Sequence, residues 1–179
     1  MSFLGIRIPH ETARLLHEID VPGEKEDSAQ LHITLLYLGK NIPIKELAKA
    51  MIATFEVTNA TCPFWVKSTN VSSFPVDAGY PHPIIAPIQS PKLFELHKFL
   101  KRSFDKAGIE YNKKFKLYRP HVTLSFNDAA IKKTRIEPVE WAIQEVVLWG
   151  GEDGDNRVFT TFPLEIKKNG EIECQEKIR

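Results

Sequence analysis

The order strand, helix, loop, strand occurs twice in this chain, and the repeat restricts the folds that the chain can adopt. The first copy, residues 3–38, ends in LHITLLYL, and the second, residues 84–126, ends in PHVTLSF. Both ends contain the pattern His-apolar-Thr-Leu, beginning at His32 and at His121, which are 121 − 32 = 89 positions apart. The repeat predicts two similar halves, each carrying one His-x-Thr strand.

Apolar spacing and turn residues predict the remaining elements. Strands are more numerous than helices and do not alternate regularly with them, which favours an α+β fold over a doubly wound parallel sheet. Pro87 predicts an edge position for its strand, and GGEDGDN predicts a hairpin turn between the last two strands. Strands are expected at 3–8, 31–38, 64–74, 84–88, 120–126, 141–149 and 157–166, helices at 10–19, 43–55 and 91–107, and a charged tail at about 168–179.

The period of a strand indicates what each repeated motif displays. Side chains at positions i and i+2 point to the same face of a strand. His32 and Thr34 should therefore share one face, with Tyr37 on the opposite face. By the same rule, the second motif should display His121, Thr123 and Ser125 together, opposite Phe126.

Two imidazoles beside two hydroxyls suit the cleavage of a phosphodiester. One histidine can take a proton from the nucleophile while the other protonates the leaving oxygen, since imidazole titrates near pH ~6.5. Threonine hydroxyls can hydrogen-bond the phosphate oxygens. No carboxylate or thiolate cluster accompanies the histidines, so we expect no metal and no cofactor. One His-x-Thr motif would mean little, but two copies ending equivalent units favour catalysis.

Composition narrows the partners. Lys+Arg minus Asp+Glu is 24 − 23 = +1, which gives no strong field toward a DNA duplex or an anionic membrane. No apolar run approaches the roughly 20 residues of a membrane helix, and the first residues do not resemble a secretion signal. We therefore expect a cytoplasmic protein with no membrane association and no obligate protein partner.

At these motifs the chain resembles the 2H phosphoesterase superfamily, and most closely its RNA 2′,3′-cyclic phosphodiesterase or 2′-5′ RNA ligase branch. The resemblance is carried by HITLLYLG (32–39), RPHVTL (119–124) and Phe74-Pro75, and it spans residues 3–126 and loosely continues to Leu164. It implies one domain over residues 1–179, with two pseudo-symmetric lobes of antiparallel sheet around a central cleft and helices outside. It also implies substrates that are nucleotides, cyclic oligonucleotides or RNA ends.

The same resemblance implies roles for individual residues. His32 and His121 would be the catalytic residues, facing each other across the cleft. Thr34 and Thr123 would bind the substrate phosphate beside them. Arg119 is a further candidate for phosphate binding, because guanidinium suits planar anion recognition, although a residue beside Pro120 can equally be a plain surface residue.

Two departures affect the expected substrate. The RNA-acting branch often has an arginine five residues after the second histidine, where this chain has Phe126, and LWGGEDGDNR (148–157) forms an acidic turn in place of a serine-bearing strand. Both features favour phosphodiesterase over ligase activity. The acidic turn is similar to bacteriophage members that cut cyclic oligonucleotides of antiviral signalling, which would place the protein in a host cytoplasm. A non-catalytic nucleotide- or RNA-binding module, a 2′-5′ RNA ligase and a histidine-ligated metal hydrolase remain alternatives.

Overall fold

The computed structural model describes residues 1–74, 81–113, 117–150 and 157–165. Its helices are α1 (His10–Glu18), α2 (Ile44–Thr58) and α3 (Pro91–Ala107), with a short 3-10 helix at Ser28–Gln30. The strands are β1 (Ser2–Arg7), β2 (Glu24–Lys25), β3 (His32–Gly39), β4 (Phe64–Ser73), β5 (His82–Pro87), β6 (His121–Asn127), β7 (Thr134–Ile143), β8 (Glu145–Gly150) and β9 (Arg157–Pro163).

The strands form one antiparallel sheet in the order β7-β4-β5-β6-β3-β1-β8-β9, with β2 paired to β6. The α+β prediction is therefore confirmed. β3 and β6, the two strands with His-x-Thr motifs, are neighbours and pair at Ile33 and Val122. Each is flanked by the first strand of its own repeat, because β1 pairs with β3 and β5 pairs with β6.

All three helices contribute to a single large core on one face of this sheet. Helix α3 shows why the sequence prediction was accurate there. The Ser90 hydroxyl accepts a hydrogen bond from the Leu93 amide at 3.3 Å, Pro91 occupies the first turn, and Gly108 ends the helix at φ 66°. One side of α3 is fully buried and belongs to the same core as the sheet residues Ile33, Val122 and Leu148. This buried side consists of Leu93, Leu96, Leu100 and Phe104.

Two predictions about strands need correction. The expected strand 141–149 is divided at Gln144 into the end of β7 and most of β8, which continues to Gly150, and no strand was expected over residues 134–140 of β7. β5 is an interior strand, although Pro87 suggested an edge. Proline is tolerated because β4 pairs with β5 at Ile84 and Ile85, so no ladder hydrogen bond from the Pro87 nitrogen is needed on that side.

β8 and β9 form the expected antiparallel pair, while most of the predicted GGEDGDN turn and the tail at 168–179 lie outside the described residues. No helix in the described part of the chain is both long enough and apolar enough to span a bilayer.

Candidate active site

The pairing of β3 with β6 brings the two motifs together. Ile33 lies opposite Val122 in antiparallel register. Extended by one residue in each direction, this antiparallel register puts His32 opposite Thr123 and Thr34 opposite His121. Because side chains opposite each other in a sheet share a face, the four residues lie together, related by a local two-fold axis. We call this side of the sheet the histidine face. The helices and the main core occupy the other side, to which Ile33 and Val122 belong.

Both histidine rings are held by the same local hydrogen bond. Nδ1 of His32 lies 2.7 Å from the carbonyl oxygen of Gln30, and Nδ1 of His121 lies 2.6 Å from that of Arg119. A carbonyl oxygen only accepts, so Nδ1 carries the hydrogen and donates it. This leaves Nε2 of each ring to take up or release a proton at a substrate.

Aromatic rings fix the positions of the imidazoles. The Phe3 ring centroid lies 5.0 Å from that of His32, and the Trp149 centroid lies 5.8 Å from it. Phe3 and Trp149 stack on each other at 5.0 Å with an interplanar angle of 16°. In the other half, Phe74 lies 4.7 Å from His121. Each imidazole thus has an aromatic neighbour that restricts its rotation.

A glycine allows this aromatic packing. A Cβ atom at Gly5 would lie 2.6 Å from the carbonyl oxygen of Ile33 and 3.0 Å from the Trp149 ring. Gly5 is also the partner of Thr34 across β1 and β3. The absence of a side chain at Gly5 therefore lets the indole lie against the strand pair that carries His32 and Thr34.

The surroundings of His121 lower its pKa. Burial lowers the pKa of His121, the hydrogen bond to the Arg119 carbonyl raises it in part, and the charge of His32 lowers it further. An imidazole with a lowered pKa is neutral at neutral pH, which is the form that a general base requires.

Bulges in β3 and β6 overturn the predicted faces of three residues. Leu4 pairs with Leu36 but Gly5 with Thr34, so Leu35 is an extra residue in β3. In β6 the corresponding extra residue is Leu124, because Ile84 pairs with Ser125 but Ile85 with Thr123. An extra residue reverses the alternation beyond it.

The consequences are the same in both halves. Tyr37 lies on the histidine face beside Phe3, at 5.9 Å between centroids, and not on the opposite face as predicted. Phe126 also lies on the histidine face. It pairs with Pro83, and His121 pairs with Pro87; because Pro83 and Pro87 are on the same face of β5, so are Phe126 and His121. Ser125 is instead fully buried and donates to the carbonyl oxygen of Pro22 at 2.7 Å. Each motif therefore presents an aromatic residue five positions after its histidine.

The observed contact of Arg119 with the site is made by its backbone and not by its side chain. Its backbone carbonyl accepts the hydrogen bond that orients His121, and the residue itself is exposed. A phosphate contact of this side chain stays a prediction.

Sequence reasoning missed Phe3, Arg7 and Trp149, which lie on the histidine face. Arg7 is the partner of His32 across β1 and β3, and Trp149 is the partner of Phe3 across β1 and β8. The alternation of β1 does group Phe3 with Arg7, but only the pairing with β3 shows that their face is that of the histidines.

No three His, Cys, Asp or Glu side chains within the described ranges cluster as a metal site would require. The described side chains on the histidine face include imidazoles, hydroxyls, aromatic rings and the Arg7 guanidinium. Groups of these kinds can supply protons and hydrogen bonds to an anion.

Known proteins share the family and the fold of this chain. Residues 9–155 match the family model of the 2′-5′ RNA ligase superfamily. The protein TT0787 of Thermus thermophilus has a similar fold, with a TM-score of 0.72 at 23% identity over 91% of this chain and 97% of that one. The structure of E. coli LigT complexed with 3′-AMP gives a TM-score of 0.62 at 20% identity over 92% and 94%. No curated protein sequence matches. The family match covers most of the chain and both His-x-Thr motifs, so the chain belongs to the 2′-5′ RNA ligase superfamily, the 2H phosphoesterases.

Proposed function

We propose that this protein is a metal-independent phosphodiesterase that hydrolyses 2′,3′-cyclic phosphates, 2′-5′ linkages or cyclic oligonucleotides. The observation that carries the proposal is the two-fold arrangement of His32 and Thr34 against His121 and Thr123 on paired strands. In each half the imidazole is held through Nδ1, so Nε2 is left for the substrate.

The lowered pKa of His121 supports its role as general base. In the proposed reaction, neutral His121 accepts a proton from water at Nε2 while the water oxygen bonds to phosphorus. The bond from phosphorus to the leaving ribose oxygen breaks, and protonated His32 donates its Nε2 proton to that oxygen. The hydroxyls of Thr34 and Thr123 donate hydrogen bonds to the two non-bridging phosphate oxygens, where charge is held during the reaction.

Structures of one fold relative support a nucleotide substrate. E. coli LigT has been crystallised with 3′-AMP, with NADP+ and with ATP. For this chain, the two aromatic residues that follow the motifs, Tyr37 and Phe126, add flat surfaces to the histidine face on which a base can stack. We place the protein in the cytoplasm, or in that of a host cell if it is encoded by a phage.

The test is a hydrolysis panel in excess EDTA, containing nucleoside 2′,3′-cyclic phosphates, 2′-5′-linked dinucleotides and cyclic oligonucleotides. Wild-type protein should turn over at least one class. His32→Ala and His121→Ala should each reduce kcat by about 10²–10⁴-fold or more. His10→Ala, at an exposed position of α1, is the matched control and should retain full activity.

Four results would contradict the proposal or redirect it. Near-normal turnover by either active-site variant, with an unchanged circular dichroism spectrum, would refute the two-histidine mechanism. Activity lost in EDTA and restored by a divalent metal would indicate a metal hydrolase. Nucleotide binding without turnover would indicate a binding module, and joining of 2′-5′ ends without hydrolysis would indicate a ligase.

A further inference from the structure

A cavity of about 250 Å³ opens beside His32, on the side away from His121. Its lining comes from β1, β3, β8 and β9 and from the 3-10 helix that precedes β3. The residues that matter here are Phe3, Arg7, Gln30, His32, Trp149 and Val158. The cavity is thus a lateral extension of the histidine face and shares the His32 ring with the candidate active site.

Arg7 is the cation of this cavity. It pairs with His32 across β1 and β3, so its side chain is on the histidine face. Because β1 is one strand farther out than β3, Arg7 lies about 4.8 Å farther than His32 from the midline between His32 and His121. The residue is exposed, and no described carboxylate forms an ion pair with its guanidinium. A guanidinium in this state can bind a phosphate through two parallel hydrogen bonds.

The other half of the two-fold arrangement lacks this charge. Pro87 pairs with His121 just as Arg7 pairs with His32. The two motifs are alike in their histidines, threonines, bulges and following aromatic residues, but only the His32 side has a cation at this position. A substrate with a second negative charge is therefore bound preferentially in one orientation.

The rest of the lining suits a nucleoside. Phe3 and Trp149 are buried and stack on each other against the His32 ring, so they form a fixed apolar wall on one side of the cavity. The cavity is smaller than the roughly 300–1,000 Å³ of typical small-molecule pockets, so it suits one nucleotide unit. It adjoins the imidazole that we assign to protonation of the leaving oxygen.

We propose that this cavity binds the nucleotide unit on the His32 side of the scissile bond, and that Arg7 binds a second phosphate of that unit, one that is not cleaved. The inference rests on the proposed phosphodiesterase function and narrows its substrate class. The preferred substrates carry a phosphate on the ribose in addition to the scissile diester, as oligonucleotides and 5′-phosphorylated nucleotides do. Nucleosides with a single cyclic phosphate are then poorer substrates.

A matched pair of substrates tests this: adenosine 2′,3′-cyclic phosphate with a 5′-hydroxyl and the same compound with a 5′-phosphate. Wild-type kcat/KM should favour the 5′-phosphorylated compound by on the order of tenfold, the effect of one charged hydrogen-bonded contact. Arg7→Gln should bring the ratio close to one, with the loss falling mainly on the 5′-phosphorylated compound. Arg7→Lys should retain part of the preference.

Two controls keep the outcomes separate. Arg135→Gln, at an exposed position of β7 in the other half, removes the same charge and should leave the ratio unchanged. Calorimetric binding of adenosine 2′-phosphate and adenosine 2′,5′-bisphosphate gives the same comparison without turnover, and Arg7→Gln should abolish the preference for the bisphosphate.

Each result bears on one proposal. If wild-type protein hydrolyses nothing but binds the bisphosphate more tightly through Arg7, the phosphodiesterase proposal fails and the second-phosphate site stands. If both compounds are hydrolysed and bound equally, or if Arg7→Gln weakens both equally, the second-phosphate site is refuted. Equal weakening would assign Arg7 to the scissile phosphate.

Discussion

Replacing Gly5 by alanine should damage the candidate active site without altering any of its functional groups. The new Cβ would lie 2.6 Å from the Ile33 carbonyl oxygen and 3.0 Å from the Trp149 ring. Carbon atoms in contact prefer about 3.5–4.0 Å, so the indole must retreat by roughly 0.5 Å or more. β1 must also move away from Ile33, which lies between His32 and Thr34.

The expected cost follows from these two contacts. Overpacking of a filled site costs about 1–3 kcal/mol, and the lower entropy of the unfolded alanine chain returns about 0.4–1 kcal/mol. A net loss of about 1–2 kcal/mol in a chain of this size lowers Tm by about 2–8 °C. Displacement of β3, the strand that carries His32 and Thr34, by a fraction of an ångström should reduce kcat/KM by about 10- to 100-fold.

Gly108→Ala is the matched control. At Gly108 a Cβ would meet nothing within 4 Å, but φ is 66°, so alanine costs about 1–2 kcal/mol in backbone strain alone. Both variants should therefore melt earlier in thermal unfolding, but only Gly5→Ala should lose activity. Wild-type Tm and wild-type kcat/KM in Gly5→Ala would show that the close packing of Trp149 on β1 has no energetic consequence.

Two further predictions concern pH. Because His121 has a lowered pKa and must be neutral to act as base, the acid limb of kcat/KM should lie below pH ~6.5. Phe74→Ala exposes the His121 ring and should move this limb toward higher pH, whereas the control Phe55→Ala on α2 should leave it in place. An unmoved limb in Phe74→Ala would contradict burial as the cause of the lowered His121 pKa. Separately, His97 stacks on Tyr118 at 3.9 Å, and burial, helped by the charge of Lys101, lowers its pKa to about 4. The unfolded chain then binds more protons, so stability should fall as pH drops from about 6.5 toward 4. In urea unfolding His97→Gln should show a smaller fall, and an equal fall in both proteins would refute this assignment.

Local sequence was sufficient for features whose physical causes are local. Helix α3 was predicted with its bounds, because Ser90, Pro91 and Gly108 act within one turn of the helix ends. The two His-x-Thr motifs were found from their repetition, and the bond from each histidine Nδ1 to the carbonyl two residues earlier depends only on neighbouring residues. That the two motifs face each other in one site was implied by the resemblance to the 2H phosphoesterases.

Tertiary structure decided which residues surround the histidines. A strand's alternation predicts faces only while its register is unbroken, and the register of β3 and β6 is broken at Leu35 and Leu124 by pairing with β1 and β5. The bulges reverse the faces of Tyr37, Ser125 and Phe126, for which the sequence offers no local signal. The place of Arg7 on the histidine face also depends on strand pairing, because Arg7 lies opposite His32, a residue 25 positions away in the chain. Contacts between distant segments are selected by burial of the whole core, and that selection is not encoded in any short stretch of the chain.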